Sequence, residues 1–399
     1  MKCELCKKEE ANKKNTHYLT DAIIRTCLNQ DGTNKRDKGF CFEVSSNSEY
    51  SELKIQRGTS PEKIEKSLGR PMTDEEIEHS QQNSFTVDDV FCPQCESIFT
   101  GIETDFISNI LPRFRNTDLS RNEDVEIQES EVKSFRLFFY LQLWRSHICD
   151  SNFNLREDIA ENLRQIILNH DSIKLAEINK YPLSITYLET LGGDKEYTRN
   201  LVGTSSGGNP YVIIMNDFII QFYDSAADIS YYDLYGINDI KSFVKYINQN
   251  EAAFQVQIVH DNDRREFTRR YMGKKSEYAI PQYIKTFKSF WKKAFNSEPS
   301  GKVIRKFNKK ITKRNFNVQS YSQKKIETVI NDFINEVSSS IQKIKNGKNE
   351  LTKKHRKKKK SNSKNKVVVK RKKGKGIITK RRVRRKYRRK LRLLGVIPK

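Results

Sequence analysis

Nowhere in its 399 residues does the chain hold an uncharged apolar run near the roughly 18 residues that a membrane span needs. Its first residues, MKCELCKK, place no apolar stretch behind their lysines, so a secretory leader is not expected either. The expectation is a soluble, cytosolic protein whose thiols stay reduced and open to metal. Asp and Glu are missing from 353–399, where 25 Lys and Arg stand. The other 50 basic residues face all 50 acidic ones, so the net charge of +25 resides in the tail and the rest is formally neutral. Such segregation points to a polyanion partner for one segment rather than to an enzyme with a basic surface. The glycine-containing stretch 203–210 lacks a lysine at phosphate-loop spacing, which favours a hairpin loop over a nucleotide site.

What is present begins with four of the seven cysteines, in two Cys-x-x-Cys pairs: Cys3 with Cys6, and Cys92 with Cys95. A pair two residues apart on a tight turn presents both thiolates to one ion, and two such turns complete a tetrahedral four-sulfur shell. Structural zinc is the expected occupant. A redox dithiol fits less well, because neither pair is set in a strand-to-helix unit and a second pair would be redundant. Cys27, Cys41 and Cys149 have apolar neighbours and read as small core residues, with Cys41 a reserve ligand. Between the pairs lies His17, the candidate base.

Hydrophobic residues make up 36% of the chain, with 22 Phe and 17 Tyr, enough for a real core in two or three domains. Leu19, Ile23, Ile24 and Cys27 predict a short helix over 19–28. The polar stretch 45–84 reads as an insertion between the halves of the metal site, with helix starts at Ser60 and Thr73. Ile98, Ile102, Phe106 and Ile110 predict a helix leaving Cys95. The run from Phe135 to Trp144 is too densely apolar for one face, so its helix should be buried on most sides; 155–168 is amphipathic. From Tyr181 the period becomes two, and YVIIMNDFIIQFYDS reads as two strands joined at Asn216 and Asp217. A further strand is expected at Phe254, Val256 and Ile258, and a helix over 238–248. Aromatic and basic residues alternate over 281–295, which reads first as a core stripe with a solvated lysine face and second as a base-stacking surface. Ile326, Ile330, Phe333, Val337, Ile341 and Ile344 define a helix that would pair with a protein partner or fold back. The tail cannot bury enough surface to order itself when free, although Val383, Tyr387, Leu391 and Leu394 would suit a basic amphipathic helix on nucleic acid or an acidic membrane.

The order CELC, a histidine some ten residues on, then FCPQCESIF followed by Glu103 resembles HNH-type (ββα-metal, treble-clef) zinc proteins, in particular a bacterial branch with CxxC, a histidine segment and CxxCExxF. The resemblance covers about the first 110 residues. It implies metal-dependent endonuclease chemistry on DNA or RNA, with antiviral defence as the role suggested by analogy. It also implies His17 as the base activating water, and Glu96 as a ligand for a catalytic Mg2+ or Mn2+. Thr16 stands where an acidic or histidine ligand would precede the base, with Asp21 as a substitute, and Asn83 lies rather far from the second pair.

The expected fold class is α+β. A zinc module over 1–115 with the 45–84 insertion would precede a central domain with a small antiparallel sheet over 116–300, a helical segment over 301–346 and a nucleic-acid-binding tail over 347–399. The tail cations expected on phosphates are Lys357, Lys358, Arg371, Lys372, Arg381, Arg382, Arg384, Arg385, Arg388 and Arg389. A non-catalytic zinc-containing nucleic-acid-binding protein, or a subunit of a larger complex docked through 326–344, is the alternative reading.

Overall fold

The computed structural model describes residues 1–24, 26–28, 36–45, 48–189, 200–249, 253–312 and 322–361. Two compact units are present, Met1–Lys275 and Ser276–Lys399. The architecture is mixed α and β.

Alternating side chains of two short strands explain the centre of the first unit. In Tyr211–Met215, residues Tyr211, Ile213 and Met215 enter one core while Val212 and Ile214 enter another. Its partner Phe218–Phe222 sends Phe218, Ile220 and Phe222 to the first core and Ile219 to the second. A continuous apolar run is what a strand covered on both faces requires. The two strands meet at Asn216, whose φ of 51° supplies the left-handed turn residue expected there. Leu183–Leu188 is buried along its whole length for the same reason, its Ser184 and Thr186 included.

Around this hairpin the sheet grows to eight strands, in the order Glu52–Ile55, Phe40–Glu43, Leu201–Ser205, Tyr211–Met215, Phe218–Phe222, Leu183–Leu188, Phe254–Val259 and Asp124–Ile127. It is larger than the small antiparallel sheet expected, and it is mixed. Phe40–Glu43 runs parallel to Leu201–Ser205, and Phe254–Val259 parallel to Leu183–Leu188. Two of its strands come from the region around the 45–84 insertion, which also forms the helices Pro61–Leu68 and Asp74–His79 after the expected starts at Ser60 and Thr73.

The helix Glu129–Cys149 lies against the first core, with every residue from Phe135 to Ser146 buried. Phe106 stacks on Phe138 with ring centroids 3.8 Å apart, coupling the helix that leaves Cys95 to this central one. Glu157–Leu168 packs its Ile159, Leu163, Ile166 and Ile167 into the same core.

Two expected helices take other forms. Among the described residues of 19–28 only Asp21–Ile24 is helical, and Thr26–Leu28 pairs as a strand with Arg36–Lys38. The reason is that the carbonyls that would continue the helix are taken. Arg115 donates to the Ala22 and Ile23 oxygens, at 3.0 and 3.3 Å, and Asn216 Nδ2 donates to that of Ile24 at 2.8 Å. Over 238–248 only the 3₁₀ turn Phe243–Tyr246 forms, and Ile240 and Val244 remain 63% exposed. Its ends are tied to strands through asparagine side chains: Asn238 to Gln221 (2.8 Å) and Asn248 to the Gln255 backbone N–H (2.7 Å).

In the second unit, Ala279, Tyr283, Phe287 and Trp291 from the Asp261–Phe295 helix pack with residues of Gly301–Ile311 and Gln323–Ser361. Phe287 stacks on Phe307 at 4.2 Å, and Phe333 meets both rings edge-on. The aromatic residues of 281–295 therefore form a core stripe, and Lys285, Lys288, Lys292 and Lys293 stand exposed beside it. Ile326, Ile330, Phe333 and Ile334 are buried in this bundle, so the first turns of the last helix fold back within the chain. Among the described residues no helix is long and apolar enough to cross a membrane.

Candidate metal centre

Each cysteine pair is shaped by its local backbone. Lys7, at φ 58°, turns the chain back after the first pair; its N–H bonds the Cys3 carbonyl (2.8 Å), and Cys3 N–H bonds the Glu9 carbonyl (2.9 Å). The Glu9 N–H points at Cys6 Sγ from 3.5 Å. In the second pair Cys92 caps the helix Pro93–Asp105, whose first position takes proline because no helical partner exists there for its missing N–H. Cys95 follows in the first turn. Backbone bonds stitch the pairs together: Glu4 N–H to the Val90 carbonyl and Lys13 N–H to that of Phe91, both 3.0 Å.

The result is that the four sulfurs of Cys3, Cys6, Cys92 and Cys95 lie within 4.8 Å of one another, although the pairs are more than eighty residues apart in sequence. Cys6 and Cys92 Sγ are 4.0 Å apart, too far for a disulfide. A tetrahedral ion with Zn–S bonds of about 2.3 Å needs sulfur separations of about 3.8 Å, so the donor set fits such an ion with little adjustment. Burial pushes the Cys6 thiol up, but the N–H groups of Glu9 and Lys8 outweigh it and bring it to about 7. Cys95 is pushed up by burial and by the adjoining Cys92 and Cys3 sulfurs. An ion in their midst would relieve that crowding. Cys41 and Cys149 lie outside the cluster.

His17 is half-buried on Thr16–His17, which pairs antiparallel with Thr86–Val87, the strand that leads into the second cysteine pair. The order is thus cysteine turn, strand, insertion, strand, cysteine turn, helix. Glu96 sits one residue after Cys95; its Oε2 is buried without a hydrogen-bond partner among the described residues. Burial raises its carboxyl, opposed by Arg145 and the Thr16 hydroxyl. Asp21 opens the short Asp21–Ile24 helix, and exposed Asn83 offers its carbonyl to the Thr86 hydroxyl at 3.1 Å.

Behind the histidine strand is a buried polar network that the sequence did not announce. Arg145, 1% exposed, donates to the His17 carbonyl (2.9 Å) and to Gln142 Oε1 (3.3 Å), and forms an ion pair with Glu103. The Thr20 hydroxyl also donates to Glu103 Oε1 at 2.6 Å, and Thr20 N–H bonds Gln142 Oε1 at 3.0 Å. One guanidinium thereby joins the metal helix, the histidine strand and the central helix. The available signal was Arg136, Gln142 and Arg145 inside the apolar stretch 135–145, where a polar side chain needs a partner.

Three of the other histidines have structural partners, while the side chains of His79 and His355 lie outside the described residues. His147 Nδ1 accepts from Leu155 N–H (3.1 Å), His170 lies 3.3 Å from Asp171, and His260 Nδ1 is 3.0 Å from Glu189. Of the tail cations, Lys357 and Lys358 fall on the Gln323–Ser361 helix with side chains outside the described residues. Arg371, Lys372, Arg381, Arg382, Arg384, Arg385, Arg388 and Arg389 lie outside them altogether. Comparison with protein-family models, curated proteins and solved structures finds no match for the chain.

Proposed function

We propose that the chain is an HNH-like, metal-dependent endonuclease that hydrolyses phosphodiesters of DNA or RNA, with a structural zinc held by Cys3, Cys6, Cys92 and Cys95. The observation that carries this reading is the placement of His17 on a strand hydrogen-bonded to the one that enters the second cysteine pair, with Glu96 in the first turn of the helix beyond. A second divalent ion, Mg2+ or Mn2+, would be held by Glu96 and would stabilise the charge that develops on the phosphate. His17 takes the proton of the attacking water. Arg145 holds the His17 backbone, and the cationic tail supplies non-specific attraction to the nucleic-acid backbone.

General-base catalysis is worth about 10²- to 10⁴-fold. With Mg2+ or Mn2+ and plasmid, single-stranded DNA and RNA substrates, His17→Ala should lose cleavage by that factor while zinc content and circular dichroism stay unchanged. Undiminished cutting by His17→Ala removes the histidine from the mechanism.

A second reading, a zinc-braced binding protein without catalysis, is favoured by Glu103. Two turns beyond Glu96 on the same helix, this carboxylate is engaged by Arg145 and Thr20 rather than turned to an ion. Tight binding with no cleavage in either metal would select that reading.

A further inference from the structure

The formally neutral body conceals two opposite charges. Residues 1–275, the first unit, hold 34 Lys and Arg against 44 Asp and Glu; residues 276–352 hold 16 against 6, before the tail begins. The acidic unit carries the cysteine cluster. A polyanion is therefore repelled on average by the unit with the candidate site and attracted by the other, the folded bundle included.

Within that bundle the charge is arranged. On the helix Gly301–Ile311 the residues Lys302, Arg305, Lys306 and Lys309 stand at i, i+3, i+4 and i+7, which is one helical face. Arg305, Lys306 and Lys309 are exposed, and among the described residues no carboxylate lies within ion-pair distance of them. Lys310, off this stripe, is engaged by Glu336 at 3.2 Å. We infer that this face of Gly301–Ile311 is a docking surface for the sugar-phosphate backbone of a nucleic acid, separate from the tail.

Two features choose the partner. The apolar side of the helix, Val303, Phe307 and Ile311, is buried, with Phe307 between Phe287 and Phe333. A membrane-surface helix must insert that side into lipid, and here it is spent on the bundle. The aromatic rings nearby are in the core as well, so they are not offered to stack on bases. What remains is a row of cations about 10 Å long, along which one duplex strand presents about three phosphates. Binding through it is independent of sequence and steeply dependent on salt. The inference rests on the nucleic-acid part of the function proposed above but not on cleavage.

The test uses the full chain with its tail intact. Lys302, Arg305, Lys306 and Lys309 are each changed to Gln, and a control of equal charge carries Lys66→Gln, Lys174→Gln, Lys180→Gln and Lys241→Gln in the first unit. Affinity for a 30-base-pair duplex is measured by fluorescence anisotropy without divalent metal from 0.05 to 0.3 M NaCl. Each phosphate that the protein no longer neutralises lowers the log–log salt slope by about 0.9, so the bundle variant should lose about 3 in slope and roughly 100-fold in affinity at 0.15 M. The control should change little, and both variants should keep the wild-type circular dichroism. Equal slopes for bundle variant and control overturn the inference. So does a bundle variant that keeps its duplex affinity but no longer binds vesicles containing 30% phosphatidylserine, which would assign the face to a lipid surface. Full binding behaviour in a protein that cleaves nothing would sustain this inference while refuting nuclease chemistry.

Discussion

Arg145→Met should loosen the histidine strand more than any surface change can. Methionine keeps most of the aliphatic volume, so the perturbation is the loss of the charge and its hydrogen bonds rather than a large cavity. It leaves Glu103, whose side chain is only 21% exposed, with the Thr20 hydroxyl but no counter-charge, and strips the His17 carbonyl of its donor. Breaking a fully buried pair costs about 3–5 kcal/mol; the water that reaches Glu103 places this case near the lower end, about 3 kcal/mol. Because the chain forms two units, one global melting midpoint is not a clean measure. Native-state hydrogen exchange is cleaner. The Tyr18 amide, bonded to the Phe85 carbonyl at 2.9 Å, and the Thr20 amide, bonded to Gln142, report the opening of the strand directly. Their protection should fall roughly 150-fold, the equivalent of about 3 kcal/mol, while amides of the Gly301–Ile311 helix hold theirs. Removing both partners, as Arg145→Met with Glu103→Leu, should cost less than the two single changes together, because no charge is then left stranded. A loss under 1 kcal/mol, or strictly additive changes, would refute the claim that this ion pair holds the strand.

The purified chain should carry one zinc, and Cys95→Ser should lose it. Chelation should then unprotect amides of 1–17 and 86–95 but spare the Glu129–Cys149 helix and the 211–222 hairpin, which are held by the core; a metal-free protein with unchanged exchange would dispose of the site. Glu76 accepts two bonds from Arg70 (2.7 and 2.8 Å) and closes a capping box with Thr73, and the guanidinium holds its carboxyl down at about 2. A depressed carboxylate contributes stability above its ordinary pKa of 4.5 and loses it as pH falls through about 2. Glu76→Gln should therefore cost about 1 kcal/mol at neutral pH, discounted for exposure, read by exchange of the Ile77 amide. That difference from the wild type should vanish between pH 4.5 and 2, and a difference that persisted at pH 2 would assign it to packing instead.

Local chemistry sufficed wherever a residue's neighbours in the chain decide its environment. The two cysteine turns, the helix starts at Ser60 and Thr73, the Asn216 turn, the all-round burial of 135–146 and the amphipathic spacing of 326–334 are short-range patterns, and their physics is complete within a few residues. Tertiary structure alone decided the rest. It recruited Phe40–Glu43 and Glu52–Ile55 into an eight-stranded sheet, and ended the helix at Ile24 by giving its carbonyls to Arg115 and Asn216. It also set Arg145 between Glu103 and His17. Each of these joins groups dozens to nearly two hundred residues apart, and no periodicity records such a pairing. It is selected only when a buried polar group must find a partner in the space that the packed core leaves to it.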